Sequence, residues 1–424
     1  MKKNAIKFLP VLPALRSRNY QLFFAGQGLS LVGTWMTQIA TIWLVYSLTN
    51  SALLLGVVGF AGQFPSFILT PFGGVVVDRV SRHRLLVVTQ SLAMLQSLAL
   101  AFVALTGIVQ VWHLIVLSIF QGIINAFDAP TRQAFVPEII EQKDDLANAI
   151  ALNSSMFNGA RLIGPAIGGL LVASVGAGYC FLIDGLSYIA VITALLAMKV
   201  KPSKIPISHD HPWQRLKEGF VYTFGFAPIR SIILLLALVS FMGMQYTVLT
   251  PIFATQILHG NAETLGFLMA AAGVGALIGA VHLSTRKNVL GLGRLIAYSP
   301  ALMGMGLIGF SLSRVLGLSL LMMLAVGLSF TLQFTSSNTV LQTIVEDDKR
   351  GRVMSIYTMA FFGVVPLGNL FAGSLASKIG APNTLMIGGI FCILGSFLFT
   401  KQLPSIRRLI RPIYTKIGIL PQRS

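Results

Sequence analysis

Residues 73–84 read GGVVVDRVSRHR, and this short stretch ends a run of more than twenty residues that carry no charge. Asp78, Arg79, Arg82 and Arg84 then follow within seven positions. Apolar runs of about 20 residues are long enough to cross a lipid bilayer as a helix. The stretch therefore marks the end of a predicted membrane span, and it raises the question of why an acid comes first.

The composition of the whole chain favours a membrane protein. Of its 424 residues, 55% are hydrophobic and only 10% are charged, with a mean hydropathy of +0.79, whereas soluble domains carry about 25% charged residues. Only helices and closed barrels satisfy all backbone groups in lipid. The apolar runs are continuous rather than alternating, which favours helices over barrel strands. The two cysteines, Cys180 and Cys392, indicate neither a disulfide framework nor a metal site.

Twelve spans are predicted, six in each half of the chain. Their approximate ranges are 22–47, 52–77, 85–106, 111–130, 146–174, 179–198, 231–258, 264–285, 292–313, 316–337, 352–377 and 382–400. The longest polar connection separates the sixth span from the seventh. We therefore predict an N-terminal six-helix bundle over 1–198, a cytoplasmic linker loop over 199–230, a C-terminal bundle over 231–400 and a basic cytoplasmic tail over 401–424.

Lys and Arg residues lie almost entirely on one side of the predicted spans. Of the 31 basic residues, 28 fall on the side that holds both termini, Arg314 and Lys378 fall in the opposite loops, and Arg161 lies within a span. Cytoplasmic loops are enriched in basic residues, so we expect both termini in the cytoplasm. The net charge of +18 is then explained by contact with an anionic leaflet of the bilayer, not by nucleic acid.

The two halves contain a weak internal repeat. The segment IGPAIGGLLVASVGA (163–177) resembles LGNLFAGSLASKIGA (367–381). At a constant offset of 204, three glycine pairs coincide, namely Gly164 and Gly368, Gly169 and Gly373, and Gly176 and Gly380. Convergent packing of small residues is the alternative explanation. Duplicated six-span halves joined by a linker are typical of transporters that bind substrate between the halves.

The stretch at 73–84 resembles the loop signature of the major facilitator superfamily, in which a glycine precedes an acid, a base, a second glycine and another base. The matching residues are Gly74, Asp78, Arg79, Arg82 and Arg84, while Ser81 replaces the second glycine. A basic cytoplasmic loop explains the arginines but neither the acid nor the glycine. The resemblance implies an all-α membrane protein with twelve transmembrane helices in two pseudo-repeated six-helix bundles, and with both termini cytoplasmic.

The resemblance also implies that this motif forms a gate on the cytoplasmic side. Asp78 would face the start of span 11, where Gly351 would allow close approach of the backbone. A helix N-terminus attracts a carboxylate because it carries a partial positive charge and unbonded N–H groups. Arg82 would connect Asp78 to a second acid, and Asp128 near the end of span 4 is the candidate.

Span 5 contains ARLIGPAIGG (160–169), which is similar to the core of a motif associated with exporters in the superfamily. The matching residues are Gly164, Pro165, Gly168 and Gly169, while Ala160 replaces an upstream glycine. Small residues four apart also form a face for close helix packing. Export and packing therefore remain alternative explanations of this motif.

Four further segments are similar to the branch of enterobactin-exporter-like efflux carriers, the transmembrane secretion effectors. They are SRNYQLFFAGQGLSLVGTWM (17–36), WLVYSLTNSALLLG (43–56), NAFDAPTRQAFVPE (125–138) and RGRVMSIYTMAFFGVVPLG (350–368). The resemblance implies a monomeric secondary transporter of the bacterial cytoplasmic membrane. It would export an amphipathic small molecule, siderophore or drug-like, by alternating access as a proton-coupled antiporter. A broad-specificity, macrolide-like drug carrier is the alternative.

Charged residues within membrane spans are costly and tend to be functional. Arg161, near the middle of span 5, is predicted either to bind an anionic substrate or to form an internal ion pair, for which Asp184 in span 6 is the nearest candidate. A further hypothesis is that Asp184 carries protons. The arginine that many relatives have just before Gln121 is absent from this sequence, so the resemblance implies no proton-relay arginine at this position. In the implied fold, spans 1, 4, 7 and 10 line the cavity with Trp35, Gln38, Gln121, Asn125, Gln245, Tyr246 and Gln333.

A polytopic membrane enzyme is the competing functional class. The sequence contains no HExxH, no GxSxG and no cluster of His or Cys, so no catalytic motif of these kinds is present. It also lacks a GxxxxGK[ST] loop, which a nucleotide-driven pump would need. We therefore expect a transporter and not an enzyme, with a small-molecule substrate, protons and the lipid bilayer as partners, and with no metal or other cofactor.

Overall fold

The computed structural model describes residues 13–77, 79–200, 220–286 and 288–419. In these ranges, twelve helices are long and apolar enough to cross a membrane. Helices α1 to α6 comprise Arg18–Thr49, Ala52–Val77, Arg82–Leu105, Val111–Ile139, Leu146–Val175 and Ala177–Ala197. Helices α7 to α12 comprise Ala227–Ile257, Ala262–Ser284, Leu292–Leu312, Leu316–Ile344, Lys349–Ile379 and Ala381–Lys416. The predicted all-α fold with twelve spans is thereby confirmed.

Three helices, α4, α10 and α12, continue at least seven residues beyond the predicted ends of their spans. The longest extension is in α12, which runs to Lys416 through the segment predicted as a basic tail. Hydropathy indicates where a helix leaves the hydrocarbon core, not where its backbone stops being helical. In α12, Leu403, Ile406 and Ile410 are buried, and their spacing places them on one face of the helix. Packing therefore maintains the helix after its hydropathy falls.

Two helices are irregular. Helix α7 alternates α-helical and π-helical segments, which are Ala227–Leu238, Val239–Gly243, Tyr246–Ile252 and Phe253–Ile257. Helix α11 is interrupted at Gly363. Pro366 follows three residues later and has no N–H to bond the carbonyl of Phe362. Such interruptions in membrane helices are tolerated where neighbouring groups satisfy the freed backbone atoms.

The described helices belong to two compact units. Unit 1 comprises Met1–Leu48 and Ala61–Ser208, and unit 2 comprises Thr49–Phe60 and His209–Ser424. In unit 1, α3 packs extensively along α6; in unit 2, α8 packs on α10 and α9 packs on both α10 and α12. Much of the predicted linker, residues 201–219, lies outside the described residues.

The glycine repeat has a structural counterpart in each unit. Gly176 ends α5 and precedes α6 with φ +95°, and Gly380 does the same between α11 and α12 with φ +85°. Glycine adopts positive φ without the steric cost that a Cβ adds. The connections between the fifth and sixth helices of the two halves therefore turn by the same means at positions 204 residues apart.

Candidate functional site

The charged motif between α2 and α3 is joined to α4. Asp78 itself lies outside the described residues. Arg82, the first residue of α3, donates a hydrogen bond to Oε1 of Glu138 over 2.6 Å, and both side chains are half-buried. Arg79 and Arg84 are exposed. The acid that Arg82 contacts on α4 is therefore Glu138, which sequence reasoning did not single out.

Asp128, the acid predicted to meet the motif arginine, has other partners. Its Oδ1 accepts hydrogen bonds from Thr89 Oγ1 at 2.8 Å and from Gln90 Nε2 at 2.7 Å, and Arg132 lies 3.2 Å from its Oδ2. Asp128 precedes Glu138 by ten residues, about 15 Å along α4. It therefore contacts α3 about two turns beyond Arg82, the first residue of that helix. This distance is too long for the predicted contact between Arg82 and Asp128.

Neither glycine of the gate motif approaches another described residue closely. A Cβ built on Gly74 or on Gly351 has no described atom within 4 Å, and the approach expected at Gly351 involves Asp78, which lies outside the described residues. The tight contact is at the neighbouring Gly73, where a Cβ would lie 2.2 Å from the carbonyl oxygen of Ala126. One close contact between α2 and α4 thus lies at the residue next to the one that matches the family signature.

The glycine motif of α5 allows α1 to approach closely. A Cβ on Gly164 would lie 2.5 Å from the Cβ of Trp35, and a Cβ on Gly168 would lie 3.0 Å from the Cα of Met36. Small residues permit such contacts between membrane helices. The other two motif residues, Pro165 and Gly169, are also buried. The motif therefore has a packing role that fixes the position of Trp35.

Trp35 is the centre of an aromatic and cationic cluster on unit 1. The ring of Phe157 meets it edge-on, with centroids 5.7 Å apart. The guanidinium carbon of Arg161 lies 5.8 Å from the centroid of the Trp35 ring, within the range of cation–π attraction. Phe157 is exposed, and the other two side chains are half-buried. The cluster places apolar faces beside a positive charge, a combination suited to an amphipathic anion.

The remaining predicted lining residues differ between the units. In unit 1, Gln38 and Gln121 are half-buried and Asn125 is exposed, and Gln121 Nε2 donates to Asn125 Oδ1 over 3.1 Å. The three candidates in unit 2 are each 1% exposed, namely Gln245, Tyr246 and Gln333. The sequence places these residues on α7 and α10 but does not show which face of the helix each one occupies. A polar residue in such a helix can point into the protein or toward solvent.

Asp184 lies in a closed polar pocket formed by α1, α3 and α6. Its Oδ2 accepts hydrogen bonds from Thr37 Oγ1 at 2.9 Å and from Ser97 Oγ at 2.7 Å, and the residue is 2% exposed. Its Oδ1 has no hydrogen-bond partner among the described residues. Gly33 provides the space for this oxygen, since a Cβ there would lie 2.6 Å from it. No described basic residue forms an ion pair with Asp184, so its predicted pairing with Arg161 is not observed.

Unit 2 buries uncharged amides instead. Oε1 of Gln245 and both polar side-chain atoms of Gln333 and Asn369 have no hydrogen-bond partner among the described residues. Asn369 lies beside Gly59 in the first turns of α2, where a Cβ would be 3.2 Å from its Nδ2. Unsatisfied amides cost less to bury than an unpaired charge does. The polar interior of unit 2 is therefore neutral at these positions.

The N-terminus of α11 already carries an acid of its own. Lys349 donates a hydrogen bond to the exposed Glu346, which precedes the helix. That bond and the lysine charge hold the pKa of Glu346 below its ordinary value. The Lys349 ammonium also lies 4.8 Å from the ring centroid of Tyr222. Any second carboxylate that docks at this terminus would share it with Glu346.

Comparison with known proteins assigns the chain to a family. Residues 10–409 match the family described as transmembrane secretion effector. The chain belongs to the transmembrane secretion effector family. The staphyloferrin A transporter of Staphylococcus aureus is 28% identical to it over 383 residues, which cover 90% of this chain and 96% of that protein. The multidrug efflux pump Tap of Mycolicibacterium fortuitum is 24% identical over 361 residues, covering 84% and 88% of the two chains.

Solved structures confirm the fold of this transmembrane secretion effector. A POT family transporter in complex with 5-aminolevulinic acid superposes with a TM-score of 0.74 at 12% identity, over 92% of this chain and 97% of that one. This similarity shows the major facilitator fold. Together with the family match, it makes the protein a multi-pass transporter of the bacterial inner membrane.

Sequence reasoning missed several residues that the transmembrane secretion effector brings to these clusters. They are Gly33, Thr37, Ser97, Glu138 and Phe157. Uncharged hydroxyl residues in an apolar helix give no signal of their own, and only their shared partner, Asp184, was detectable as a buried charge. Among the described residues, no group of three or more His, Cys, Asp or Glu could hold a metal ion.

Proposed function

We propose that this transmembrane secretion effector exports an amphipathic small molecule from the cytoplasm by alternating access, driven by protons. The observation that carries the proposal is the cluster of Trp35, Phe157 and Arg161, which presents aromatic faces and a cation on an accessible part of unit 1. Pockets for amphipathic ligands combine apolar surface with a few polar groups of this kind. Gln38, Gln121 and Asn125 extend the polar part of this surface.

A siderophore-like anion is the cargo that we favour. One relative is named a staphyloferrin A transporter, and its similarity extends over most of both chains. Arg161 would attract the anionic groups of such a molecule, because its planar guanidinium binds carboxylates and similar groups through two hydrogen bonds. The second candidate is broad-specificity drug export, which the similarity to the multidrug efflux pump Tap supports. In that case the aromatic rings would provide most of the binding and the charge would matter little.

The charged motif between α2 and α3 would act as the cytoplasmic gate. In this proposal Asp78 docks at the N-terminus of α11, near Gly351, while Arg82 holds the motif against α4 through Glu138 rather than through Asp128. Arg79 and Arg84 would remain available to the anionic leaflet. Asp78→Asn should slow transport without changing the amount of inserted protein. Transport by this variant at the wild-type rate would contradict the gate.

We also propose that the protein is a monomer with both termini in the cytoplasm. The distribution of basic residues supports this orientation. Single cysteines introduced beside Arg84 and Lys349 should react with a membrane-impermeant thiol reagent only after the inner membrane is opened. A cysteine beside Arg314 is the matched control and should react in intact cells. Labelling of either cytoplasmic position in intact cells would contradict the orientation.

Transport into inverted membrane vesicles tests the proposed function. We expect siderophores to accumulate when a pH gradient is imposed, and a panel of siderophores, macrolides and neutral drugs separates the two candidate cargo classes. In Arg161→Ala, uptake of anions should fall at least tenfold while uptake of neutral compounds remains within twofold. Arg161→Lys keeps the charge but loses the planar geometry, so it shows whether charge alone suffices. Equal loss for anionic and neutral compounds, at normal protein levels, would contradict a charge-reading role.

A further inference from the structure

We propose that Asp184 is the proton-binding group of the transport cycle, and that a row of hydroxyl residues on α1 connects it to the helix surface. The inference rests on the proposed proton-driven export, and it names the residue that couples export to protons. In each cycle the Asp184 carboxylate would take up one proton to become a neutral carboxylic acid and would later release that proton. No covalent bond to the cargo forms or breaks.

Burial and an unpartnered oxygen favour a proton on the Asp184 side chain, although its two hydroxyl donors stabilise the ionised form. Both hydroxyl donors, from Thr37 and Ser97, bind the same oxygen, Oδ2. The other oxygen, Oδ1, is buried and has no described partner. An ionised carboxylate has about four acceptor sites to satisfy, and an unpaired charge in a membrane interior is costly. A neutral acid with its proton on Oδ1 leaves much less unsatisfied in this pocket.

The depth of Asp184 suits a coupling site. It is the eighth residue of the 21-residue helix α6, about 10 Å from the first residue. A proton bound there is held well inside the span, where its uptake and release can be assigned to different sides of the membrane in different conformations. An acid near either end of the helix would exchange with one side in all conformations.

Few other titratable groups surround this pocket. On α6, the Cys180 thiol and the Tyr188 phenol lie one turn to either side and are buried; neither normally ionises near neutral pH. Other helices carry the remaining charges near α6, namely Arg161 on α5, which lies over the Trp35 ring, and Asp128 and Arg132 on α4, which pair with each other. The ionisable residues of α1 and α3 lie far along those helices, at Arg18, Tyr20 and Tyr46 and at Arg82, His83 and Arg84.

A row of hydroxyl residues on α1 passes this pocket. Ser30, Thr34, Thr37 and Thr41 are spaced four, three and four residues apart, which places them on one face of the helix. Thr37 bonds Asp184, and Thr34, one turn away, is exposed. Thr34 and Thr41 donate to backbone carbonyls of their own helix, so their oxygens remain able to accept a hydrogen bond from a neighbour or from water. The row therefore offers a polar route from an exposed position to the buried acid.

Helix α1 also connects the proton site with the proposed cargo surface. Trp35 and Thr37 are two residues apart, so they point to nearly opposite sides of the helix. Trp35 packs against α5 beside Arg161, whereas Thr37 bonds Asp184 near α3. A shift of α1 that accompanies loss of the proton would therefore move Trp35, and cargo bound at Trp35 would alter the bond at Thr37. Coupling of this kind needs only one rigid helix between the two sites.

Asp184→Asn is the central test, because the amide imitates the protonated acid and cannot titrate. We expect this variant to lose pH-gradient-driven accumulation of a transported siderophore at least tenfold, yet to exchange labelled for unlabelled siderophore across the vesicle membrane at a rate near that of wild type. Asp144→Asn removes an exposed acid and is the matched control, with both activities unchanged. Gradient-driven accumulation at the wild-type level in Asp184→Asn would overturn the proposal. Failure of the wild-type protein to move any compound would instead contradict the proposed function itself.

A second experiment detects the proton without transport. Infrared difference spectra of the purified protein between acidic and alkaline pH should contain the carbonyl band of protonated carboxylic acids, and Asp184→Asn should lack the component of that band that comes from the buried acid. Thr37→Val removes one hydroxyl donor that stabilises the ionised form, so the band should persist to a higher pH. An unchanged band in Asp184→Asn would overturn the assignment. Accumulation that follows a sodium gradient, with no response to pH, would show that the pocket binds a metal cation instead.

Discussion

The two units differ in which helix supplies the buried polar group at corresponding positions. In unit 1 the sixth helix supplies the acid Asp184, and the first helix supplies Gly33, whose missing Cβ leaves room for the carboxylate. At the offset of 204 residues, unit 2 has Gly388 in place of the acid. There the polar group comes from α7, because Oε1 of Gln245 would lie 3.3 Å from a Cβ on Gly388. Unit 1 therefore pairs an acid on its sixth helix with a glycine on its first helix, whereas unit 2 pairs a glycine on its sixth helix with an amide on α7.

The alignment of these positions rests on their packing as well as on their numbering. Gly185 packs against Leu98 on α3, the third helix of unit 1. Its counterpart Gly389 packs against Gly304 and Ile308 on α9, the third helix of unit 2. The two halves thus keep a common framework of small residues and differ in where they place charge. We infer that the framework is structural in both units and that proton coupling belongs to unit 1.

Substitution of the shared glycines should produce the largest effect, in both units alike. A Cβ would lie 2.5 Å from the Trp35 Cβ in Gly164→Ala and 2.5 Å from the Phe241 carbonyl oxygen in Gly368→Ala. Overpacking of this kind costs about 1–3 kcal/mol, so we expect each variant to unfold several degrees below wild type in detergent. Gly159→Ala on α5 is the control, because its Cβ would meet no described atom within 4 Å. Unfolding of all three variants at the wild-type temperature would show that the crossings are loose.

Sequence predicted this framework better than it predicted the sites. The glycine pairs, the twelve spans and the buried charge of Asp184 follow from local composition and from the cost of polar groups in lipid. The partner of Arg82 does not follow from local composition. Whether Arg82 contacts Asp128 or Glu138 on α4 depends on the position of α3 along α4. The roles of Thr37 and Ser97 could not be predicted either, since a hydroxyl in a membrane helix usually bonds its own backbone. Such a residue joins a site only when a neighbouring helix brings a partner to it.

Substitution of the glycines beside the buried polar groups should distinguish an effect on stability from an effect on proton coupling. Gly33→Ala would place a methyl group 2.6 Å from Asp184 Oδ1, and Gly388→Ala would place one 2.5 Å from the Met242 carbonyl oxygen. Both should lose about 1–2 kcal/mol of stability. Only Gly33→Ala should also shift the pH dependence of transport, because only its methyl group displaces a titratable side chain. The comparison between the units fails if Gly388→Ala shifts the pH dependence as much as Gly33→Ala does.

The buried amide of Gln245 in unit 2 should be replaceable by an apolar side chain with little change in stability or transport. Gln245 has an unsatisfied Oε1, and its Nε2 donates to the carbonyl oxygen of Phe241 over 3.3 Å. An apolar residue of similar size removes the unsatisfied atom, so Gln245→Leu should change stability by about 1 kcal/mol or less. We expect its transport rate to stay within twofold of wild type, with an unchanged pH profile, as measured in inverted vesicles. A lost pH response in Gln245→Leu would assign part of the proton site to unit 2.

Ion pairs should also contribute small effects, and unequally. The half-buried pair of Arg82 and Glu138 should show a coupling free energy of about 1 kcal/mol in a double-mutant cycle to alanine, measured by thermal unfolding. The exposed pair of Lys349 and Glu346 should contribute less. Its contribution is present above the ordinary pKa of a glutamate and is lost as the pH falls through the lowered pKa of Glu346. A larger coupling energy for the exposed pair would reverse the expected order.

Proton movement that accompanies cargo tests most directly the claim that unit 1 holds the coupling charge. Vesicles with an acidic interior and an internal pH dye would be supplied with an external siderophore that the wild type transports. We expect siderophore-dependent alkalinisation of the interior with wild type and with Gln245→Leu, and none with Asp184→Asn, although Asp184→Asn still exchanges siderophore. Equal alkalinisation with Asp184→Asn and wild type would contradict the account.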